Sequence, residues 1–249
     1  MPSGNQAGVY ASTLAYLNAV AATGSDEAAI ILRGGSQVET NSVISRNQAP
    51  LIVGLPGIAR SADGRPLASP EVSQVVNLPS KADGTDANVQ MRGVGDEGWE
   101  VRPHMRLVQG RRFERGLREI VVGQGVSAQY RGVEVGKTLR LGNEDWTVVG
   151  VFASGDSHDS EMWTDAQTLA SFYRRPAYQS VTVRLDGKDG FAQLKAALDD
   201  DPRLKLDALT TSDYYTRQSS GTTTLIRVLG TVIGAIMAIG AVFGALNTM

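Results

Sequence analysis

VLGTVIGAIMAIGAVFGALNTM, Val228 to Met249, runs for 22 residues without a charged side chain. At 1.5 Å of rise per residue, a helix of that length spans about 33 Å, which matches the roughly 30 Å hydrocarbon core of a bilayer. Wound as a helix, Val228, Val232, Ile236, Ile239, Val242, Phe243 and Leu246 fall on one broad face. Gly230, Gly234, Ala238, Ala241, Gly244 and Ala245 fall on the other. Burying apolar surface gives no drive for helices to associate in lipid, so close approach through small residues takes that role. Gly230 with Gly234 and Gly240 with Gly244 have GxxxG spacing. The stretch predicts a transmembrane helix that packs through its small-residue face. A buried helix of a soluble core would also be apolar, but such helices are usually shorter and seldom so free of polar residues.

The residues before Val228 have the texture of a water-soluble globular domain, with scattered charge and frequent Gly and Pro. A net charge of −2, with Lys and Arg spread singly, offers no stripe for a phosphate backbone, so nucleic acid is not an expected partner. The absence of cysteine rules out disulfides and thiolate metal sites and fits either redox compartment. Residues 7–22 are mildly apolar but lack the basic start and strong apolar run of a signal peptide. Val9, Tyr16 and Val20, with Leu14, Leu17 and Ala21, recur at helical spacing, which predicts a helix too short and polar to span a membrane. A first spanning helix, if there is one, is expected upstream of Met1.

The interior predicts an α+β fold. Ala28 to Leu32 reads as a buried strand, Thr40 to Asn47 as a short helix that Pro50 stops, and Val72 to Leu78 as a second strand. A matching unit follows late in the chain. Val181 to Leu185 alternates as a strand, Phe191, Leu194, Ala197 and Leu198 mark a helix face ending at Pro202, and Lys205 to Leu209 reads as a strand. Strand, helical crossover and strand favour parallel pairing. The middle is β-rich: Glu119 to Gly123, Lys137 to Leu141 and Trp146 to Phe152 read as strands, with a hairpin loop at Gly142 to Asp145. No helix of useful length is expected between Arg92 and Glu161.

No catalytic, cofactor-binding or metal site is expected. Gly132, Gly136, Lys137 and Thr138 resemble a phosphate-binding loop, but three residues rather than four separate the glycines and a strand pattern follows. Asp156, His158, Asp159 and Glu161 bring possible cation ligands into one loop that lacks the spacing of a calcium site. The expectation there is a solvated loop. Asp199, Asp200 and Asp201 read as the end of a helix. His104 and His158 are the only histidines, and neither sits in a nucleophile motif, so nothing supports an enzyme.

Several segments together carry a family resemblance: ATGSDEAAIILRGGSQVETNSVISR near the start, MRGVG at Met91 to Gly95, LVQGRRF at Leu107 to Phe113 and REIVVG at Arg118 to Gly123. WTVVGVF at Trp146 to Phe152, SEMW at Ser160 to Trp163 and IMAIGAVFGALNTM at Ile236 to Met249 complete the set. In this order the chain resembles the FtsX-like permease family of ABC transporters with a MacB-like periplasmic core domain. The resemblance implies one spanning helix, a large extracytoplasmic domain and three further spanning helices, of which this chain would hold the domain and the second helix. It further implies that residues 25–92 and 178–212 form a porter-like subdomain and that 93–177 form an inserted β-rich subdomain. Residues 1–24 would be an N-terminal helix, 213–227 a stalk and 228–249 the spanning helix. The implied partners are a cytoplasmic ABC ATPase, a second permease subunit and the membrane, with the globular part in the periplasm and the anchor in the inner membrane.

In that scheme Asp213, Tyr214, Tyr215 and Arg217 would couple the stalk to the domain, and the protein would transmit motion rather than catalyse. Family members of this kind move or release lipoproteins, peptides or drugs outside the membrane, or control cell-wall enzymes. No proline interrupts Asp213 to Arg227, which favours one rigid lever with the apolar run, although Gly221 weakens it. A membrane-tethered binding or sensor module without an ATPase stays open as the alternative.

Overall fold

A computed structural model describes residues 23–201 and 203–218. The predicted helix at 7–22 and the predicted transmembrane helix at 228–249, with its packing residues Gly230, Gly234, Ala238, Ala241, Gly244 and Ala245, lie outside the described residues. Among the described residues no helix is long and apolar enough to cross a membrane.

In chain order the first strands and helix are β1 (Ala28–Arg33), β2 (Ile44–Ser45), α1 (Ala49–Val53), β3 (Ala68–Pro79) and β4 (Asp86–Val94). The middle contributes α2 (Gly98–Val101), β5 (Arg106–Gly110), β6 (Glu119–Gly123), α3 (Gln124–Gln129), β7 (Thr138–Leu141), β8 (Glu144–Ala153) and β9 (Glu161–Asp165). The chain continues through α4 (Ala166–Phe172), β10 (Ala177–Tyr178), β11 (Ser180–Arg184), α5 (Gly190–Asp200) and β12 (Leu206–Thr210) to a helix over 211–218, α6.

Among the described residues ten strands join one sheet in the order β12-β1-β11-β3-β4-β9-β6-β8-β5, with β7 hydrogen-bonded to β8. β11 and β12 do run parallel across the α5 crossover, as expected, but they do not pair. β1 lies between them, antiparallel to both. β11 likewise separates β1 from β3. Two split βαβ units thus interdigitate in the order 4-1-3-2 of a ferredoxin-like sheet. β3 joins this part to the β-rich middle by changing partner along its length. Ala68 to Glu71 pair with β11, and Val72 to Pro79 pair with β4. Pro70 sits where the side toward β4 has no ladder partner, which is where a strand tolerates a residue without an N–H.

The expected helix at Thr40 to Asn47 is not found. Glu39 to Asn41 form a 3-10 turn, β2 follows, and Pro50 lies in the first turn of α1. Proline starts the helix here because the first-turn N–H groups have no intrahelical partner to lose. The Gly132 to Lys137 stretch is a turn into β7, with positive φ at Gly132 and Gly136.

Both faces of β1 are covered, which explains its unbroken apolar run. Ala29 and Ile31 join a large core with Leu194 and Leu198 of α5, one turn apart on its inner face. Ile30 and Leu32, on the opposite face, pack against Tyr214 and Tyr215 of α6. The site lies on that second face.

Candidate functional site

Strand alternation and register gather charge on the face that α6 covers. Glu71 and Ser73 of β3 share a side; Ser73 faces Arg92 of β4, and Arg92 faces Trp163 of β9, whose neighbour two residues back is Glu161. On the other flank Ser180 of β11 faces Glu71, and Thr182 faces Ile30 of β1. The 3-10 turn adds Glu39, and the residue after α2 adds Arg102.

These groups form one buried ionic joint. Arg92 Nε and Nη2 donate to the two Glu161 carboxylate oxygens at 2.8 and 2.9 Å. Its Nη1 and Nη2 also donate to Glu39 at 2.8 and 3.1 Å, and Nη1 reaches Glu71 at 2.9 Å. Arg102 grips Glu71 from the other side at 2.7 and 3.0 Å, and its guanidinium lies over the Trp163 ring, 5.2 Å from the centroid. Trp163 Nε1 donates to Glu161 at 2.9 Å, and the Ser180 hydroxyl donates to Glu39 at 2.6 Å.

Burial alone would raise the carboxyl of Glu161. The Arg92 guanidinium wins, with help from His158, and holds it at about 2. Glu71 is buried too, and Arg102 and then Arg92 bring it below the usual carboxylate range. Desolvation penalises both guanidiniums, yet the facing carboxylates raise them further. Three carboxylates therefore meet two guanidiniums.

The stalk residues predicted from sequence divide in their placement. Tyr214 and Tyr215 are buried, and burial pushes both phenols up, so they are neutral. The Tyr214 hydroxyl accepts from the Glu39 backbone N–H at 3.3 Å and from Gln218 at 3.1 Å, which ties α6 to the ionic joint. Tyr215 Oη lies 3.4 Å from His158 Nε2. Asp213 sits at the start of α6, its N–H donating to Thr210, and Arg217 borders a pocket with Val38 and Asp207. A cavity of about 580 Å3 opens beside the joint, lined among others by Glu39, Arg92, Glu161, Tyr214 and Tyr215.

The loop from Gly155 to Glu161 corrects another expectation, since most of its charged groups are withdrawn from solvent. Asp156, His158 and Glu161 are buried. Each carboxylate has a separate role: Glu161 belongs to the ionic joint, and Asp159 accepts from the N–H groups of Ser154 and Gly155 at 2.7 and 3.1 Å. Asp156 receives His158 Nδ1 at 2.9 Å and His104 Nε2 at 3.1 Å. The His104 and His158 contacts overcome its burial and hold its carboxyl far below the usual range. Sequence reasoning passed over Glu39, Glu71, Arg92 and Arg102 and weighed His104 only for a nucleophile motif. The visible signal was a charged residue at an inward strand position, as in Val89 to Val94 (VQMRGV).

A family model described as "MacB-like periplasmic core domain" matches residues 11–201. Among solved structures, the periplasmic region of MacB from Actinobacillus actinomycetemcomitans matches with a TM-score of 0.54 at 14% identity, over 77% of this chain and 92% of that one. The extracellular domain of the noncanonic ABC-type transporter YknZ from Gram-positive bacteria matches with a TM-score of 0.53 at 16% identity, over 74% and 100% of the respective chains. At these identities the two structures show a shared fold. No curated protein sequence matches the chain.

Proposed function

The chain belongs to the MacB-like periplasmic core domain family, and from that premise we propose that it is the extracytoplasmic transmission element of an ABC transporter permease. In this reading a separate cytoplasmic ATPase moves the spanning helices, and α6 carries that motion into the domain so that substrate is exported or released on the periplasmic side. The apolar run at 228–249 anchors it in the inner membrane and packs against other spanning helices, including those of a second permease copy. The porter-like unit (25–92 and 178–212) and the inserted β-rich unit (93–177) move with the stalk. The division is supported by the 4-1-3-2 strand order, which draws on both outer segments of the chain.

The observation that carries this reading is the seating of α6. It precedes the apolar run in sequence, and its two tyrosines bury against β1 and contact both Glu39 and His158. Tilting a helix so held either moves the sheet beneath it or breaks these contacts.

The test uses the full-length gene product with the ATPase that co-purifies with it, in nanodiscs. The chain has no cysteine, so a single fluorophore at exposed Val108 is unique within it. Energy transfer from that label to a headgroup acceptor should change when ATP is trapped. The change should collapse in the Tyr214→Ala/Tyr215→Ala double variant and in Thr222→Pro, because the lever reading requires a helix through position 222 and proline costs ~3 kcal/mol or more inside a helix. Failure to recruit any ATPase would leave the tethered-sensor alternative standing, and an ATP-driven change untouched by either variant would refute the lever.

A further inference from the structure

The chain has two histidines, His104 and His158, 54 positions apart, and both point at one carboxylate, Asp156. Nothing in the transmission reading requires this convergence. We propose that His104 Nε2, His158 Nδ1 and one carboxylate oxygen of Asp156 bind a single divalent transition metal ion, Zn2+ being the best fit, with a fourth position open to water or a ligand.

Donor chemistry selects the metal class. Two imidazoles and one carboxylate suit Zn2+ and its borderline neighbours, while Ca2+ and Mg2+ favour all-oxygen sets of higher coordination number. Three protein ligands and one vacant position are the usual composition of an open zinc site.

The geometry is close to what such an ion needs. The three donor atoms lie within 4.8 Å of one another. His158 Nδ1 lies 2.9 Å from Asp156 Oδ1 and His104 Nε2 3.1 Å from Oδ2, each close to the roughly 3.3 Å edge of a tetrahedron with 2.0 Å bonds, and a turn of the carboxylate or of the exposed His104 ring brings one oxygen to face both imidazoles. Two of the ligands are held firmly. Asp156 accepts from the His158 backbone N–H at 2.9 Å, and the His158 ring meets Trp163 edge to face at 5.8 Å. The third can adjust, since the His104 side chain is 46% exposed. A cavity of about 230 Å3 beside His104 and His158, also lined by Arg102, Thr211 and Tyr215, leaves room for a fourth ligand.

Two further features favour the ion. Metal-bound imidazoles usually donate their remaining N–H to a neighbour, and His158 Nε2 already faces Tyr215 Oη at 3.4 Å. The charge balance also leaves room for a cation. Glu39, Glu71, Glu161 and Asp156 are four buried carboxylates, against the buried guanidiniums of Arg92 and Arg102 and the His158 imidazole. A divalent ion bound at His158 would supply positive charge at the same place.

The inference holds whether or not the protein transmits ATP-driven motion. Its test is binding to the full-length chain, tag-free in detergent, with Zn2+ followed by calorimetry and Co2+ by visible absorption. The expected result is one Zn2+ per chain, intense d–d bands of tetrahedral Co2+, and no comparable uptake of Ca2+. His104→Gln should keep the melting temperature of the metal-free protein yet weaken Zn2+ binding at least tenfold, and Asp156→Asn should do the same or worse. Glu27→Gln, at an exposed position on the same cavity, should bind as the parent does. Absence of a stoichiometric site, or unchanged Zn2+ affinity in His104→Gln, would overturn the assignment.

Discussion

Arg92→Met keeps much of the side-chain volume and removes the charge that three carboxylates share. The wild-type guanidinium makes five hydrogen bonds to Glu39, Glu71 and Glu161. Glu71 keeps Arg102 in the variant, but Glu39 retains only the Ser180 hydroxyl and Glu161 only the Trp163 N–H. Removing one partner of a buried ion pair costs about 3–5 kcal/mol, because the remaining charge stays desolvated. With two carboxylates stranded, the upper part of that range applies at pH 7. For a domain of this size that is a fall in melting temperature of about 10–20 °C, read from tryptophan fluorescence with Trp163 inside the joint. The pH dependence carries the diagnosis. Wild-type Glu161 is held at about 2, below the ordinary glutamate value of 4.5, so its contribution is complete above about pH 4.5 and fades as pH falls toward 2. In the variant, burial without a cation raises the carboxyls, so mild acid neutralises them and relieves the penalty. The two melting curves should converge between pH 7 and pH 5. A fall below about 3 °C at pH 7, or a deficit equal at both pH values, would show that Arg92 is not the keystone of the joint.

Tyr215→Ala should cost about 3–5 kcal/mol by opening a cavity over Ile30 and Leu32, and hydrogen exchange should show lost protection across 211–218. Tyr214→Phe removes the acceptor of both the Glu39 N–H and the Gln218 amide and should cost about 1 kcal/mol in the same assay. Gly57→Ala should cost more than about 2 kcal/mol in denaturant midpoint at unchanged slope. Gly57 sits at φ +81°, and a Cβ there would strike the Gly190 carbonyl at the start of α5. Two tryptophan swaps should differ sharply: Trp146→Phe discards a buried N–H with no partner, whereas Trp163→Phe takes a donor from Glu161 and should cost about 1.5–3 kcal/mol more in urea unfolding.

Elements with their own period were legible. Ala28 to Leu32 announced β1 as an unbroken apolar run, and Phe191, Leu194 and Leu198 announced α5 by helical spacing. β6, β7 and β8 stood out by composition and by the turns between them. β9 did not, because EMWTD begins and ends in acid and reads as polar. All five of its residues are nonetheless buried, since Glu161 is neutralised by Arg92 and the Asp165 side chain caps α4 by accepting from the Thr168 N–H. Strand order was out of reach for a different reason. Nothing local to β11 or β12 records that β1, nearly 150 residues earlier in the chain, lies between them. Pro50 misled because proline both ends helices and begins them, and the choice depends on which side the apolar contacts lie.

The site escaped sequence reading because its parts are single charges in unrelated segments, brought together only by register and by the 3-10 turn. Their chemistry explains why they are not simply apolar. Replacing a buried ion pair by packed hydrocarbon is often neutral or stabilising, so the joint is poorly explained as a source of stability. Its distinguishing property is direction. Leu and Val contacts slide with little penalty, whereas the planar fork of Arg92 satisfies Glu161 in bidentate fashion only while β4, β9, β3 and the turn bearing Glu39 hold one relative placement. Tyr214 reads that placement through the backbone N–H of Glu39. A displacement of α6 therefore either carries the strands with it or breaks charge-assisted hydrogen bonds in a buried setting, which is costly. Stiffness of this kind is what a part that passes motion between a membrane anchor and an outer domain requires.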